Sequence, residues 1–541
     1  MASTSLAQFF RKIADIWLTA SVHLDAFRAE PQAYLTATRW RIKRKRVRAR
    51  GQFAPLLSRS PTAYRLWLSR QKRQWRRPDS PSSNASIIAL IDIAKIAEPK
   101  ALWVTQQSLI AEGLSALMIG SPQTPDLAVA ITQIDWNANP WLFPTDPGDR
   151  IATGTASAYR NAIGKGDTRI IYADDDLLIG RRRSAPYFKP DWNEELFFYQ
   201  DYLTGACIMR ATPADLGAVA GKKEWASALV AKLAHQERPP VHLHAMLHHR
   251  QHRPMPRLPA RPLAIARDLP PISVIVPTRN RVDLLRTCLD GVAEADYPHV
   301  EVIIIDNDSD DPETLAYLAA LDPARHRVLH HAGAFNYSAI NNRGAGEAQG
   351  RLLCLLNNDI ETTNWDWLSI MATQALRPEV GAVGARLLYP DGRIQHAGVV
   401  IGVGNAAGHA HRFLRPEEEG YFHRHSLPQF TMAVTAACLV VERDKFMAVG
   451  GLNEVDFPIA FNDVDLCLRL NQKGWQSLYE PRATLIHHES VSRGLDRDPV
   501  GAARFASELA ALKRIWKTDE IYDPYHHPEL SRASEQFAVA L

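Results

Sequence analysis

Three short polar clusters in this chain each follow a run of apolar residues, and between them they hold most of the groups able to do chemistry. Pro277-Thr278-Arg279-Asn280 ends the run 272–276, Asp306-Asn307-Asp308-Ser309 ends 300–305, and Asn357-Asn358-Asp359 ends 352–356. Asp306 and Asn307 suit hydrogen bonds to a base or ribose, and they equally suit a polar turn that caps a strand. The third cluster offers one carboxylate and two amides. Hard divalent cations such as Mg2+ take oxygen ligands and need few protein carboxylates when phosphates supply the rest. Further on, Phe461-Asn462-Asp463-Val464-Asp465 precedes an apolar helical pattern that stops at Gly474. There Asn462 suits an N-cap and Asp463 the first turn, where the helix dipole favours a negative charge. The chemical alternative makes Asp463 a general base that reaches an acceptor hydroxyl. Asp465, two residues on, reads as structural. His487-His488 closes another apolar run and suits a metal, a diphosphate or a plain turn, and His409 with His411 offers a second histidine pair.

The elements that must position these groups are short apolar strands alternating with helical patterns. Ile272–Val276, Val300–Ile305, Leu352–Leu356 and Ala483–Ile486 read as strands, with a helix carrying Leu284, Leu285, Cys288 and Leu289 after the first. That alternation predicts an α/β fold with a doubly wound parallel sheet buried on both faces. Ligands of such sheets sit beyond the carboxyl ends of the strands, which is where the polar clusters fall.

At 541 residues the chain is long enough for two to four domains, and its 46% hydrophobic and 23% charged content excludes wholesale disorder. The net charge of +4 conceals an asymmetry: fifteen Lys or Arg and no acid lie between Arg39 and Arg77, so the remainder is acidic. Residues 1 to about 30 place Leu6, Phe9, Phe10, Ile13, Ile16, Trp17 and Leu24 at helical spacing, either to cover a core or to lie on a membrane. Linkers are expected around Pro78–Ser83 and Arg253–Pro271. Five widely spaced cysteines without a CxxC pair argue against a disulfide framework or a structural zinc site and fit a reducing cytosol. No run reaches the roughly 18–20 apolar residues of a membrane helix, and the N-terminus lacks a secretory signal.

From about Pro271 to Gly494 the chain resembles family-2 glycosyltransferases of the inverting GT-A type, and among them the bacterial enzymes of surface-polysaccharide and O-antigen assembly often called rhamnosyltransferases. The resemblance rests on Ser273-Val-Ile-Val-Pro-Thr-Arg-Asn280, Ile305-Asp-Asn-Asp-Ser309, Phe335-Asn-Tyr-Ser-Ala-Ile-Asn-Asn342 and Leu356-Asn-Asn-Asp359. It continues through Leu388-Tyr-Pro-Asp-Gly-Arg-Ile-Gln-His-Ala-Gly398, Thr435-Ala-Ala-Cys438, Asn462-Asp-Val-Asp-Leu-Cys-Leu-Arg469 and His487-His-Glu-Ser490. The resemblance implies a GT-A (nucleotide-diphospho-sugar transferase, Rossmann-like) domain that uses Mg2+ or Mn2+. It implies that Thr278, Asn280, Asp306, Asn307, Asn342, Asn357 and Asn358 hold the nucleotide sugar, and that Asp359 and His488 hold the metal. Asp463 matches the catalytic base, and His396, Asn462 and His487 are candidate contacts to donor or acceptor. Asn357 stands where the first aspartate of the DxD motif stands in many relatives, and the base motif reads Asn-Asp instead of Glu-Asp.

The first half looks like a worn copy of the same domain. Tyr202-Leu-Thr-Gly-Ala-Cys207 parallels Val434-Thr-Ala-Ala-Cys438, and 241–249 parallels 481–488. Gly148 aligns with the metal aspartate and Trp225-Ala226 with Asn462-Asp463, which predicts a noncatalytic copy. The expected division is a basic helical N-terminal region over 1–80, a degenerate GT-A-like domain over 85–252, a catalytic domain over 270–500 and a helical tail over 501–541. The expected activity moves a sugar from a nucleotide-sugar donor to a glycan or lipid-linked acceptor. The alternative is a noncatalytic carbohydrate-binding or scaffolding protein. A nucleotidyltransferase is disfavoured because 277–281 holds no glycine for a phosphate loop. No nucleic acid partner is expected. The basic segment within residues 1–77 is read instead as contacting the anionic inner membrane surface, which makes the protein cytoplasmic and peripheral on the inner face.

Overall fold

The computed structural model describes residues 2–71, 83–95, 99–164, 166–180, 182–235, 238–488 and 499–541. The expected linker at 78–82, and Glu489, Ser490, Ser492 and Arg493, lie outside the described residues. Two compact units emerge. The first comprises Met1–Pro256 with His526–Ser531 and Ala538–Leu541, and the second Arg257–Tyr525 with Arg532–Phe537.

In the first unit, four helices (Ala2–Ala29, Pro31–Ile42, Arg46–Ser58, Ala63–Gln71) precede the strands. These are β1 (Ile87–Asp92), β2 (Ser115–Ile119), β3 (Trp141–Thr145), β4 (Arg150–Ile151), β5 (Ile170–Ile179), β6 (Arg182–Tyr187), β7 (Cys207–Met209) and β8 (Val241–Arg250). They pair in the order β2-β1-β3-β7-β5-β8-β4, with β6 on β5. The sequence separates residues 1–80 from this sheet, whereas their contacts join them: Tyr64 donates its hydroxyl to Asp176 on β5 at 2.5 Å, and Trp67 donates its indole N–H to Glu529 at 2.8 Å. Residues 501–541 likewise form no separate tail, because the helix Pro499–Trp516 belongs to the second unit and the last residues divide between both.

The second unit holds β9 (Ile272–Thr278), β10 (Val300–Asp306), β11 (His326–His330), β12 (Leu352–Leu356), β13 (Ile360–Thr362), β14 (Val380–Leu388), β15 (Ile394–His396), β16 (Val399–Ile401), β17 (Ala407–His409), β18 (Gln429–Thr431), β19 (Cys438–Glu442) and β20 (Gln476–His487). Its main sheet runs β11-β10-β9-β12-β19-β14-β20-β13. Alternate residues go to opposite faces, as the two-residue period of a strand requires. Val274, Val302, Ile304, Cys354 and Leu356 enter one apolar cluster, while Ile275, Ile303, Ile305, Leu353 and Leu355 enter the other. Both faces are therefore buried, as their unbroken apolar reading predicts. The sheet is mixed and not wholly parallel, since β19 runs antiparallel to β12 and β14.

Strand for strand, the first sheet reproduces the second. β2, β1, β3, β7, β5, β8 and β4 stand where β10, β9, β12, β19, β14, β20 and β13 stand, and every pairing keeps its parallel or antiparallel sense. The fold class is α/β as expected, with two sheet domains of matching strand order and N-terminal helices before the first.

Candidate active site

The parallel strands β9, β10 and β12 end at one edge of the second sheet, and the chain turns sharply there. Asn280 and Arg281 both take left-handed backbone, at φ 53° and 57°, a conformation non-glycine residues hold at some cost and often at functional sites. A cavity of about 1020 Å³ opens at this edge, and Thr278, Asn280, Asn357, Asn358, Asp359, Asn462, Asp463 and His487 all line it. Eight of the expected site residues thus meet, though they span 210 positions of the sequence.

At one corner, Asp359 and Asn357 each bury a side-chain oxygen, Oδ1, that receives no hydrogen bond among the described residues. His487 Nε2 lies 3.1 Å from Asp359 Oδ1 and 3.3 Å from Asn357 Nδ2. The ring's other nitrogen, Nδ1, faces Gln395 Oε1 at 2.7 Å. An amide oxygen only accepts, so Nδ1 carries a proton, and in the neutral ring Nε2 then presents a lone pair beside Asp359. Two orphaned oxygens and an imidazole lone pair suit a divalent cation, and the Gln395 contact is the kind that orients a ligating histidine. His488 does not join them. Its Nε2 meets Glu361 at 2.9 Å and the ring is outside the cavity lining. The strand β20 runs through His487, which pairs opposite Ile360, so the two consecutive rings face opposite ways.

Asp463 occupies the first turn of the helix Asn462–Gln472. Its Oδ2 accepts the Ala436 N–H at 3.1 Å and its Oδ1 the Val464 N–H at 2.8 Å. Burial raises its pKa despite these donors. Asn462 is the first helical residue rather than the N-cap, which is Phe461 in left-handed backbone, and its amide donates to Ile459 O at 2.7 Å. Asp465 pairs with Arg469 at 2.7 Å and accepts the Trp516 indole N–H at 2.9 Å, a structural role as expected.

Three expected ligand residues are committed elsewhere. Asn307 donates to the carbonyls of His331 and Gly333, Asp306 accepts the Ser309 N–H, and Asn342 is held by Leu452 and Glu454. None of the three lines the cavity, and Asn307 keeps its Oδ1 buried without a hydrogen-bond partner among the described residues. His396 is fully buried and meets His409. His411 instead stacks on Phe537, which removes the pairing of His409 and His411 on a metal.

Sequence reasoning missed Arg279, Arg281, Arg412 and Arg504, which all line the cavity and suit an anionic ligand. Arg504 fell outside the expected domain boundary at residue 500. Its neighbour Glu508 accepts the N–H groups of Ile459 and Ala460 at 2.8 and 3.1 Å, anchoring the loop that leads into Asp463. Also missed were Asp174-Asp175-Asp176 on β5 of the first unit, all buried. Lys189 reaches Asp175 at 2.7 Å, His242 and His527 both reach Asp174 at 3.0 Å, and Arg183 reaches Asp176 at 2.5 Å. His242, His244 and His527 bring one nitrogen each within 4.8 Å of one another. His527 Nδ1, however, accepts the Glu529 N–H, which leaves the proton on Nε2 and no lone pair there for a metal. In this unit Ala226 is the second residue of the helix Trp225–Ala234, as Asp463 is of its own helix.

Residues 273–426 match the family described as glycosyl transferase family 2. Among curated proteins, the chain is 37% identical over 421 residues to the uncharacterized protein y4gI of Sinorhizobium fredii, covering 69% of this chain and 46% of that one. It is 34% identical over 413 residues to the O-antigen biosynthesis protein RfbC of Myxococcus xanthus, covering 68% and 32%. A 78-residue stretch is 44% identical to the N-acetylglucosaminyl-diphospho-decaprenol L-rhamnosyltransferase of Mycobacterium tuberculosis, covering 14% and 22%. The chain thus spans less than half the length of these relatives. Among solved structures, mannosyltransferase PcManGT from Pyrobaculum calidifontis, in complex with GDP-Man and Mn2+, aligns at 18% identity and a TM-score of 0.36, covering 50% of this chain and 71% of that one.

Proposed function

We propose that this chain, which carries a glycosyl transferase family 2 domain over residues 273–426, transfers a sugar from a nucleotide-sugar donor to a growing bacterial surface polysaccharide or lipid-linked glycan. The observation that carries this reading is one cavity holding a half-buried carboxylate base, Asp463, and a separate corner of cation-binding groups, Asn357, Asp359 and His487, among four arginines. Asp463 takes the proton of an acceptor hydroxyl as that oxygen bonds to the anomeric carbon. The bond from that carbon to the diphosphate oxygen breaks, and the electron pair leaves with the nucleoside diphosphate. Attack from the face opposite the leaving group inverts the anomeric configuration. Arg279, Arg281 and Arg504 hold the diphosphate, Thr278 and Asn358 orient the nucleotide, and Asn280, whose amide is spent on Asp310 and Asp311, shapes the turn beside them. Asn357, Asp359 and His487 would hold a divalent cation, Mg2+ or Mn2+, which when bound would supply Lewis-acid neutralisation of the leaving diphosphate. The names of two relatives, an O-antigen biosynthesis protein and an N-acetylglucosaminyl-diphospho-decaprenol L-rhamnosyltransferase, support the acceptor class.

The first unit acts in this reading as a noncatalytic copy that helps bind or orient the glycan, since alanine stands in the position of the base. Its N-terminal helices rest on an anionic membrane surface at the inner face of the cytoplasmic membrane. The helix Ala2–Ala29 exposes Ile13, Ile16, Trp17, Leu24 and Phe27 at helical spacing, and Leu35, Ile42 and Val47 are exposed among the basic residues that follow. Among the described residues, no helix is long and apolar enough to cross a membrane.

The test is a donor screen with purified protein, Mg2+ or Mn2+, a lipid-linked glycan acceptor and a panel of nucleotide sugars, read as nucleoside diphosphate release. Release with one donor, dependent on the acceptor, is expected. Specific glycan binding without release from any donor would establish the scaffolding alternative instead.

A further inference from the structure

A buried and a half-buried histidine in the second unit form a directional hydrogen-bond chain that ends in the cavity. His396 closes β15 and is fully buried; His409 closes β17 and lines the cavity. Their Nδ1 atoms lie 2.8 Å apart, so one ring donates and the other accepts. The backbone settles which. The N–H groups of Gly398 and Thr435 both point at His396 Nε2, at 3.3 and 3.5 Å. A nitrogen facing two N–H donors keeps its lone pair, so the proton of a neutral His396 sits on Nδ1 and is donated to His409 Nδ1. His409 must then carry its own proton on Nε2. Among the described residues Nε2 has no hydrogen-bond partner. Desolvation holds both rings neutral, with the pKa of His409 lowered to about 3 and that of His396 well below 6.5.

We infer that His409 is a specificity residue that donates its Nε2–H to a hydroxyl oxygen of the transferred sugar, and that His396 is the positioning residue that fixes the tautomer. This rests on the glycosyltransferase reading above. A neutral N–H donor suits a hydroxyl, whereas the charged diphosphate is already met by arginines. The chain's attachments place the contact on the donor sugar. Gln395, next to His396, holds the metal-corner ring His487. Thr435, which donates to His396, precedes Ala436, which holds the base Asp463. The segment that carries His409's partner is thus tied both to the corner where the diphosphate sits and to the base, and the transferred sugar must lie between the two. A site built around a committed donor rejects a sugar lacking the matching oxygen, because the donor is then left unpaired.

Two measurements test this. Long-range proton–nitrogen NMR of the full-length protein labelled with 15N-histidine reads the tautomers directly at pH 7.5. It is expected to find His409 protonated on Nε2 and His396 on Nδ1; the reverse assignment for His409 overturns the proposal. Calorimetry with Mn2+ then compares UDP, GDP and dTDP with UDP-glucose, GDP-mannose and dTDP-rhamnose. For the sugar nucleotide that binds, His409→Phe is expected to weaken binding about five- to tenfold, the loss of one neutral hydrogen bond. Binding of the bare diphosphate should be unchanged, and His409→Gln, which keeps an N–H, should restore the loss. Equal weakening of both ligands, no weakening of either, or a change confined to the acceptor's KM overturns the assignment. Wild-type protein that binds the diphosphates but no sugar nucleotide refutes the glycosyltransferase reading itself, and this role with it, whatever the tautomers.

Discussion

Replacing Asp463 by Asn removes the base while changing almost nothing else, and the structure bounds both effects. The carboxylate accepts two backbone N–H groups, from Ala436 and Val464. Asn has one acceptor oxygen, so one of those N–H groups faces an amide NH2 instead. The cost of one unsatisfied donor is about 1–3 kcal/mol, which corresponds to a fall in Tm of about 2–10 °C for a unit of this size. Turnover should suffer far more, by about 10²- to 10⁴-fold, the usual contribution of general-base catalysis. Nucleoside diphosphate affinity, measured by calorimetry with Mn2+, should hold within about twofold, because Asp463 is not a ligand of the cation corner. The pH profile adds a second reading. Only ionised Asp463 accepts a proton, so wild-type kcat/KM falls as pH drops through its pKa, and burial places that limb above the ordinary carboxylate value of about 3.9. A raised folded-state pKa also means that ionisation costs stability, so the wild type loses a little stability as pH rises through that pKa and the Asn variant does not. Release of nucleoside diphosphate by Asp463→Asn within tenfold of wild type refutes the assignment.

The two terminal histidines of β20 give a paired test. His487→Ala is expected to weaken Mn2+ binding about 10- to 100-fold in calorimetry, while His488→Ala, which loses only its contact to Glu361, leaves it unchanged; the opposite pattern refutes the assigned corner. In the first unit, Lys189→Met leaves Asp175 short of one buried partner at 2.7 Å, a loss of about 3 kcal/mol. A lowered melting transition with unchanged nucleotide binding is expected, and a Tm within about 1 °C of wild type refutes it. Deleting residues 1–77 should abolish flotation with anionic vesicles, each Lys or Arg near such a surface contributing about 1 kcal/mol; flotation of the shortened chain refutes the membrane contact.

The strands that carry the site were legible because they are buried on both faces and therefore read as unbroken apolar runs. Leu352–Leu356 has the observed bounds, while β9 and β10 extend past the expected ends into Thr278 and Asp306. The convergence of Thr278, Asn357 and Asp359 followed from strand direction alone. Direction was not legible for β19, since Cys438-Leu-Val-Val-Glu442 has the same composition whether it runs parallel or antiparallel. The choice between His487 and His488 turned on one residue of strand length: a strand ending at Ile486 leaves both rings in a turn, whereas one ending at His487 assigns them to opposite faces. Asp306, Asn307 and Asn342 fitted the family pattern, yet none of them lines the cavity, and Asn342 is tied to groups up to 112 positions away, which no local spacing reveals. The acidic triplet 174–176 escaped notice for the same reason. A run of aspartates reads as a solvated loop until Lys189, His242, Arg253 and His527 are brought to it.

The two sheets share an order and differ in how their edge carboxylates are balanced, and this difference explains why one unit is read as catalytic. Among the described residues no Lys or Arg forms an ion pair with Asp359, and Asp359 and Asn357 keep buried oxygens without a hydrogen bond, so that corner gains most from a cation supplied from outside. In the first unit the strand pairing puts Asp149, and not Gly148 as the sequence alignment expected, before β4 as Asp359 stands before β13, but the neighbouring cations are built in. Arg250 lies 3.8 Å from both Asp149 and Asp175, and Lys189 and Arg253 contact Asp175 directly. A guanidinium held beside these carboxylates repels a divalent ion electrostatically and occupies the space it would need. Gly205 allows this closeness, because a Cβ there would collide with the Arg250 guanidinium. Asp149 itself has its pKa raised to about 7 by burial, so near neutral pH it is only partly ionised and a weak ligand. Restoring cation binding to this sheet therefore requires removing Arg250 as well as supplying a base at Ala226, two changes at sites separated in sequence, and neither alone is expected to confer transfer.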